Sequence, residues 1–462
     1  MTSSKFILAA PALLLAACAV GPDFQRPDNH LPASWSFNKR PPATAANPAA
    51  LANWWRRFHD PKLNLLVEQA VKVNLDVRQA AARLAQARAQ RQAAASSFFP
   101  WLSADGSERE SQVGGSGPAA GHARSYQGGL SASWEIDIFG GSRRNFESAT
   151  ARLAAAAADL DATRLSMAAE VALTYCQLRA LQEQLSVARR NLVAQEHSAK
   201  ITQDRRGAGF ASDLDVANST AQVANTQAQI PSLETAAIQS AHSISVLLDR
   251  PPAELVGLLS DSRPVPIASA VVPTGIPSDL LRRRPDILSA EANAHAATAN
   301  IGVAVADLFP KFSLNGSVNQ ASANLSDWLS PSARVSSFGP SFNWALFQGG
   351  NLQANIQIQQ ALRDQSVLAY RKTVLGALQE VEDSIAASSN EHTRHASLAE
   401  AVTANRRAVE LSLQLYTAGQ TEFINVLNAQ RSLLVSETEF TLSNLALASN
   451  LISLYKALGG GW

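Results

Sequence analysis

The chain repeats itself at a constant offset of 210 positions, and a duplicated unit must fold twice in the same way. Leu75-Asp76-Val77 reads against Pro285-Asp286-Ile287, each opening an Ala-rich stretch of helical character. Phe99-Pro100 reads against Phe309-Pro310, Gly106-Ser107 against Gly316-Ser317, Trp134 against Trp344 and Gly209 against Gly419. Val216, Val223, Ile230, Ala237 and Ile244 land on Val426, Leu433, Phe440, Leu447 and Leu454. One coincidence would mean little, but separate segments sharing one offset mark a duplication of roughly 200 residues.

Each copy reads as a helix ending before the Phe-Pro pair, two alternating stretches around a Gly/Ser/Ala-rich loop, a very long helix, a Gly-containing turn and a second long helix. The first copy, 61–250, is predicted to hold helices at about 62–98, 143–206 and 212–249 and strands at about 101–110 and 125–139. The second, 276–458, is predicted to hold helices at about 285–308, 350–418 and 421–458 and strands at about 311–320 and 334–347. A Pro-rich linker, 251–275, joins them, and 459–462 form a short tail.

The alternation identifies the strands. Leu130, Ala132, Trp134, Ile136 and Ile138 interleave with Ser131, Ser133, Glu135 and Asp137; Phe338, Pro340, Phe342, Trp344 and Leu346 interleave with Ser337, Gly339, Ser341 and Asn343. One apolar and one polar face on strands of about ten residues is the pattern of a membrane barrel with a wet lumen. Phe98, Phe99, Trp101 and Phe139, with Phe309, Phe312 and Phe347 in the second copy, cluster near one strand end and are expected to form an interfacial girdle.

The helices are long because nothing breaks them. From Arg143 to Arg206 there is neither Pro nor Gly, and from Leu352 to Ala418 only Gly376 interrupts, so each spans roughly 95–100 Å. Leu153, Leu160 and Met167, then Val171, Leu178, Leu185 and Leu192, follow sevens with one step of four, a stutter. Antiparallel hairpins packed as coiled coils follow, with Pro231 expected to kink one returning helix.

Two copies supply four strands, too few to close around a water-filled lumen. Strand edges cannot face lipid, where each unpaired backbone group costs several kcal/mol. The chain is therefore expected to share its barrel with further copies of itself, in a number the spacing leaves open.

The N-terminus agrees. Lys5 precedes an apolar run, Phe6 to Ala17, that is too short to span a bilayer and ends in Leu15-Ala16-Ala17-Cys18. We read residues 1–17 as a lipoprotein signal peptide, Cys18 as the lipidated residue, and 18–60 as an extended lipid-anchored segment. Ala19, rather than an aspartate, suits outer-membrane retention. Lys plus Arg total 39 against 38 Asp plus Glu, so no global field selects nucleic acid. Cys176 then has no disulfide partner within the chain and is expected to pack as a small apolar residue. No later apolar run approaches the length of a spanning helix.

Two copies of strand-strand-helix-helix resemble the TolC-like outer membrane factors. The start Cys18-Ala19-Val20-Gly21-Pro22-Asp23-Phe24, the end Leu454-Tyr455-Lys456-Ala457-Leu458-Gly459-Gly460-Gly461-Trp462, and Tyr416-Thr417-Ala418-Gly419 leading to Val426-Leu427-Asn428-Ala429-Gln430 are similar to their NodT/OprM-like lipoprotein branch. The resemblance implies a mainly helical fold with a barrel portion: a homotrimer with a twelve-stranded outer-membrane barrel over a periplasmic tunnel of coiled-coil hairpins. It also implies two partners, a periplasmic adaptor and an inner-membrane transporter of the resistance-nodulation-division class, and hence small-molecule efflux. The turns at Gly207, Gly209 and Ser212 and at Gly419 and Thr421 would meet the adaptor, with Ser212 and Thr421 as N-caps of the returning helices. Tyr416 and Asp215 fall where the family places a phenol-to-carboxylate latch between hairpins. Asn425 and Asn428 stand where many members carry an aspartate ring, so the aperture is expected to be weakly charged.

No catalytic constellation emerges. Gly114 to Gly121 lacks the Lys-Ser/Thr of a phosphate loop, and His392 and His395 beside Glu391 form one helix face more typical of solvated surface than of a metal site. No cofactor is expected apart from the lipid. Two alternatives stay open: a duct for type I protein secretion, and a lipid-anchored coiled-coil scaffold without a pore.

Overall fold

The computed structural model describes residues 19–28, 31–36, 52–114, 121–268 and 277–460. The expected signal peptide and the expected lipid site, Cys18, lie outside these residues. Chain order is α1 (Pro61–Val73), α2 (Leu75–Ser96), β1 (Trp101–Val113), β2 (Gly121–Ile136), α3 (Gly141–Gly207) and α4 (Asp213–Leu247), then α5 (Pro285–Ala306), β3 (Lys311–Ser322), β4 (Arg334–Asn343), α6 (Asn351–Thr417) and α7 (Phe423–Ala457). The duplication is visible in the lengths: α2 and α5 both have 22 residues, α3 and α6 both 67, and α4 and α7 both 35. No described helix is long and apolar enough to cross a membrane.

The chain divides into two compact units, one of Met1–Asn29, Ala82–Ala157 and Ser289–Lys372, the other of His30–Ala81, Ala158–Leu288 and Thr373–Trp462. The first holds one antiparallel sheet in the order β1-β2-β3-β4. Its strands differ from expectation at their ends. β2 begins at Gly121, inside the expected loop, and β4 stops at Asn343, leaving Trp344 to Phe347 beyond the strand. Pairing explains the first difference, because Val113 finds Gly121 as its partner across the hairpin.

Where strands meet helices, the two copies use the same bond. The Trp134 indole donates to the Phe98 carbonyl at 3.1 Å, and the Trp344 indole to the Leu308 carbonyl at 3.0 Å. The expected girdle splits here. Phe99, Trp101 and Phe347 are exposed, but Phe139 and Phe309 stack on each other at 4.5 Å and Phe98 packs edge-on to Phe146. The Phe139–Phe309 stack joins the copies, and Phe98 packs within the first, instead of facing outward. The N-terminal segment straps the same unit. The Val20 amide donates to the Phe139 carbonyl at 3.1 Å, and the buried Arg144 guanidinium donates to the Val20 and Gly21 carbonyls and to Asp23. Gly21, at φ +91°, lies so close to Gly302 that a Cβ on it would fall 2.4 Å from the Gly302 Cα.

The second unit is helical around Trp54, fully buried and stacked on Tyr455 at 5.6 Å. The expected helix 62–98 is interrupted at Asn74. Its side-chain oxygen accepts from the Asp76 and Val77 amides at 2.8 and 3.2 Å, while its amide donates to the Leu247 carbonyl at 2.9 Å. The chain bends because Asn74 caps α2 and ties the end of α4. The second copy breaks at the equivalent Arg284, which is buried and donates to Asp286, Glu380 and the Ala457 carbonyl. The described part of the Pro-rich linker, 251–268, is packed rather than loose. Leu255, Leu259 and Val265 are buried, and Asp261 pairs with Lys62 while its carbonyl receives the fully buried Arg179. The Lys62 hydrogen bond leads in holding the Asp261 carboxyl down at about 2. α4 runs unbroken through Pro231, whose ring is exposed and whose carbonyl accepts from Thr235 at 2.8 Å.

Replacing Asn74 by alanine removes the α2 cap and strands the Leu247 carbonyl. We expect α2's first turn to lose about 1–2 kcal/mol of hydrogen-exchange protection; unchanged protection would show that Asn74 only fills space.

Candidate functional site: a two-faced open sheet and the helix turns

The sheet is built from period-two alternation, and its two faces differ chemically. On one face Ser103, Ser131, Ser317 and Ser337 lie in register across all four strands. The Ser103 and Ser131 hydroxyls are 2.9 Å apart and those of Ser317 and Ser337 2.8 Å apart. In the next row the Ser133 hydroxyl donates to Asn315 Oδ1 at 2.7 Å, and Asn315 Nδ2 donates to Ser341 at 2.8 Å. The other face carries Leu102, Leu130, Trp134, Val318, Phe338 and Phe342, all exposed, Phe338 by 80%. So much exposed apolar surface on one face marks contact with lipid or protein, and the opposite face is fit to line water. β1 and β4 are edges, each paired on one side only within the sheet.

The second locus, in the helical unit, is the pair of turns that reverse α3 into α4 and α6 into α7. Both close with the same hydrogen bonds. Gly209 N donates to Arg206 O at 3.0 Å and Phe210 N to Arg205 O at 2.8 Å; Gly419 N donates to Tyr416 O at 3.0 Å and Gln420 N to Leu415 O at 2.9 Å. These are Schellman caps, which place the left-handed residue just past the helix. Gly209 and Gly419 occupy it at φ +83° and +75°, whereas Gly207 is the last residue of α3 and has no positive φ.

The copies diverge at the returning helices. Ser212 caps α4 as expected: its hydroxyl accepts from the Asp215 amide, and the Asp215 carboxylate accepts from the Ser212 amide and hydroxyl. Thr421 does not cap α7. Glu422 occupies that position without a side-chain bond, because Thr421 Oγ1 is taken by Asn425 Nδ2 at 2.7 Å. Asn425 and Asn428 are both exposed. Beside the first turn, Arg206 pairs with Asp213 at 2.7 Å, a hydrogen bond that holds the Asp213 carboxyl below its usual range.

No hydrogen bond joins Tyr416 to Asp215 among the described residues. Asp215 is committed to its own helix start, and the Tyr416 phenol, 3% exposed, donates to Thr202 at 3.3 Å. The Tyr416 ring packs with Phe423, Val426 and Leu427 beneath the Arg205 guanidinium, 4.8 Å from its centroid, and Arg205 also donates to the Thr417 carbonyl at 3.0 Å. The hairpins are tied further by Gln430 donating to Ser198, Arg431 to Gln222, and Asn191 with Arg406 to the buried Glu437. Sequence reasoning passed over Arg205, Thr202 and Glu437, since polar residues inside a heptad pattern read as exposed. His392 donates to the Ser388 carbonyl and His395 to Asn444, so the two rings bond in different directions.

The family model for outer membrane efflux proteins matches twice, over residues 66–249 and 276–460. The chain belongs to the outer membrane efflux protein family. This is a family of outer-membrane channels that extend into the periplasm, and of transport proteins rather than enzymes. Nodulation protein T of Rhizobium leguminosarum bv. trifolii is 33% identical over 98% of this chain and 96% of that protein. The toluene efflux pump outer membrane protein TtgC of Pseudomonas putida is 32% identical over 100% and 96%. The solved outer-membrane channel OprN superposes with a TM-score of 0.89 at 36% identity, covering 96% of this chain and 100% of that one. The family places the two-faced sheet in a β-barrel and the long hairpins in a coiled-coil tunnel.

Because the Tyr416 phenol bond is long and the ring is buried, packing should dominate at this turn. Tyr416→Phe is expected to cost at most about 1 kcal/mol of local stability, and Tyr416→Ala about 3–5 kcal/mol, read by hydrogen exchange at the α6–α7 turn. A phenylalanine variant as damaged as the alanine one would instead make the hydroxyl the essential group.

Proposed function

We propose that this outer-membrane efflux channel subunit works as a homotrimer, the exit duct of a tripartite pump for small molecules. The observation that carries the reading is the open four-stranded sheet, apolar on one face and hydrogen-bonded through serines on the other, with both edges unpaired. Three copies give twelve strands, enough to enclose a water-filled lumen. The inner-membrane partner is a transporter of the resistance-nodulation-division class, bridged by a periplasmic adaptor. The TtgC relative, a toluene efflux pump component by name, supports small-molecule cargo. A passive duct carries what its transporter delivers, so specificity resides in that transporter.

In this reading Cys18 carries the lipid that holds the chain in the outer membrane, with roughly 0.8 kcal/mol per buried CH₂. The adaptor docks on the turns at Gly207, Gly209 and Ser212 and at Gly419 and Thr421. The aperture is lined by Asn425 and Asn428, and it opens when neighbouring hairpins part. Asp215 and Tyr416 hold the hairpins at that point, Asp215 through the α4 start and Tyr416 through the packing of its ring beneath Arg205, in place of a direct bond between them.

The purified protein should migrate on unboiled gels as a heat-modifiable trimer and form discrete conducting channels in planar bilayers; a monomer without conductance supports the scaffold reading. Because the aperture carries amides, a trivalent hexaammine cation should block only weakly, at millimolar concentration. Block at micromolar concentration would reveal an acidic ring and overturn the assignment of Asn425 and Asn428 to the constriction.

A further inference from the structure

The connection between β3 and β4, residues 323–333, contains two short 3-10 turns, Leu325–Asp327 and Pro331–Ala333, and folds back over the sheet. Gly106 and Gly128 face each other in register, with Gln320 and Arg334 continuing the row. Gly128 leaves a flat spot, and Trp328 lies on it: a Cβ on Gly128 would fall 2.8 Å from the Trp328 Cζ2. Gly128 shares its face with Leu130, Ala132 and Trp134, so the Trp328 ring sits on the apolar side. Its indole nitrogen is buried without a protein partner. On either side of it, Leu325 is 65% exposed and Leu329 77%.

The position along the strand gives this cluster its meaning. Gly128 lies eight residues up β2 from Ile136, roughly 26 Å of strand, or about 20 Å of height at a tilt of about 40°. That is close to the height of the apolar band on a membrane barrel. Trp134 and Trp344 mark one end of the band, and Trp328 marks the other. Interfacial tryptophan beside a basic side chain is the composition of a bilayer boundary; Arg334, in the same row, is exposed and has no ion-pair partner among the described residues. Above this level β1 turns hydrophilic on both faces, with Glu110 facing Arg124 at 3.6 Å.

We propose that the β3–β4 connection is a foot that docks on the outer-leaflet lipid surface. Leu325 and Leu329 enter the acyl region, Trp328 lies at head-group depth seated on Gly128, and Arg334 faces anionic head groups. Lipid is the occupant because the connection folds onto the sheet's apolar face, with Trp328 resting on Gly128 there, and Leu325 and Leu329 stand exposed on either side of that ring. The inference rests on the reading of that face as membrane-embedded, and its test separates the two.

Leu325→Cys, Leu329→Cys and Phe338→Cys are introduced singly into the full-length chain, spin-labelled, and reconstituted as the assembled channel in phosphatidylethanolamine–phosphatidylglycerol vesicles. Cys176 is fully buried, and burial pushes its thiol up to about 12, so it stays unlabelled; the unsubstituted chain controls for Cys18. The foot predicts that labels at 325 and 329 collide severalfold more with oxygen than with an aqueous nickel chelate, as the Phe338 label should. Nickel accessibility at 325 and 329 equal to that of a label at Glu108→Cys, with Phe338 still shielded, overturns the foot but leaves the embedded sheet intact. Spin–spin broadening between copies at 325 or 329 also overturns it, by showing a second chain in place of lipid. Nickel accessibility at Phe338 would remove the membrane reading itself.

Discussion

An unpaired strand edge in hydrocarbon is the constraint on which this structure depends. β1 and β4 each present one row of amides and carbonyls that no other described strand satisfies. In water such a row is solvated, but beside lipid every unmet group costs several kcal/mol. The exposed apolar face from Leu102 to Phe342 calls for lipid, and the serine rows opposite call for water. A sheet that meets both demands must close, and closure needs strands from other copies. The long helices then have a reason to be duplicated, since each pair of strands brings its own hairpin.

Duplication also explains where the two halves differ. Each copy keeps the features that geometry forbids it to lose: the indole bonds of Trp134 and Trp344, the helix breaks at Asn74 and Arg284, and the left-handed Gly209 and Gly419. Variation collects at the starts of α4 and α7, where one turn carries a complete capping box and the other an amide bonded to Thr421. The first hairpin's turn thus carries a complete capping box, while the second's exposes the amides Asn425 and Asn428 beside the carboxylate of Glu422. Two unlike turns suit the proposed constriction, which has both to hold its shape and to let solutes pass.

Much of this was legible in the sequence because the strongest signals were periodic. The constant offset revealed the repeat, period two the strands, and the absence of Gly and Pro the long helices; element ends shifted by a few residues where pairing or capping decided them. What could not be read was side-chain choice among several available partners. Asp215 prefers its own helix start to Tyr416, because a bond within one turn orders fewer groups than one between helices, and Thr421 bonds Asn425 while Glu422 stands at the N-cap of α7. Trp328 was invisible for a different reason: its partner is the emptiness at Gly128, and no periodicity marks a missing side chain.

Disulfide trapping across the free edges tests the closure most directly. Cysteines placed on β1 at Ser103 or Ser107 and on β4 at Ser337 or Ser341 sit in one chain with two strands between them, too far apart to bridge each other. If sheets join edge to edge between copies, oxidation of a matching pair in native membranes will give a covalent ladder that ends at the trimer. If every pair in the panel leaves only monomer under oxidation, while the protein remains folded in the membrane, the edges do not meet and the shared barrel is wrong.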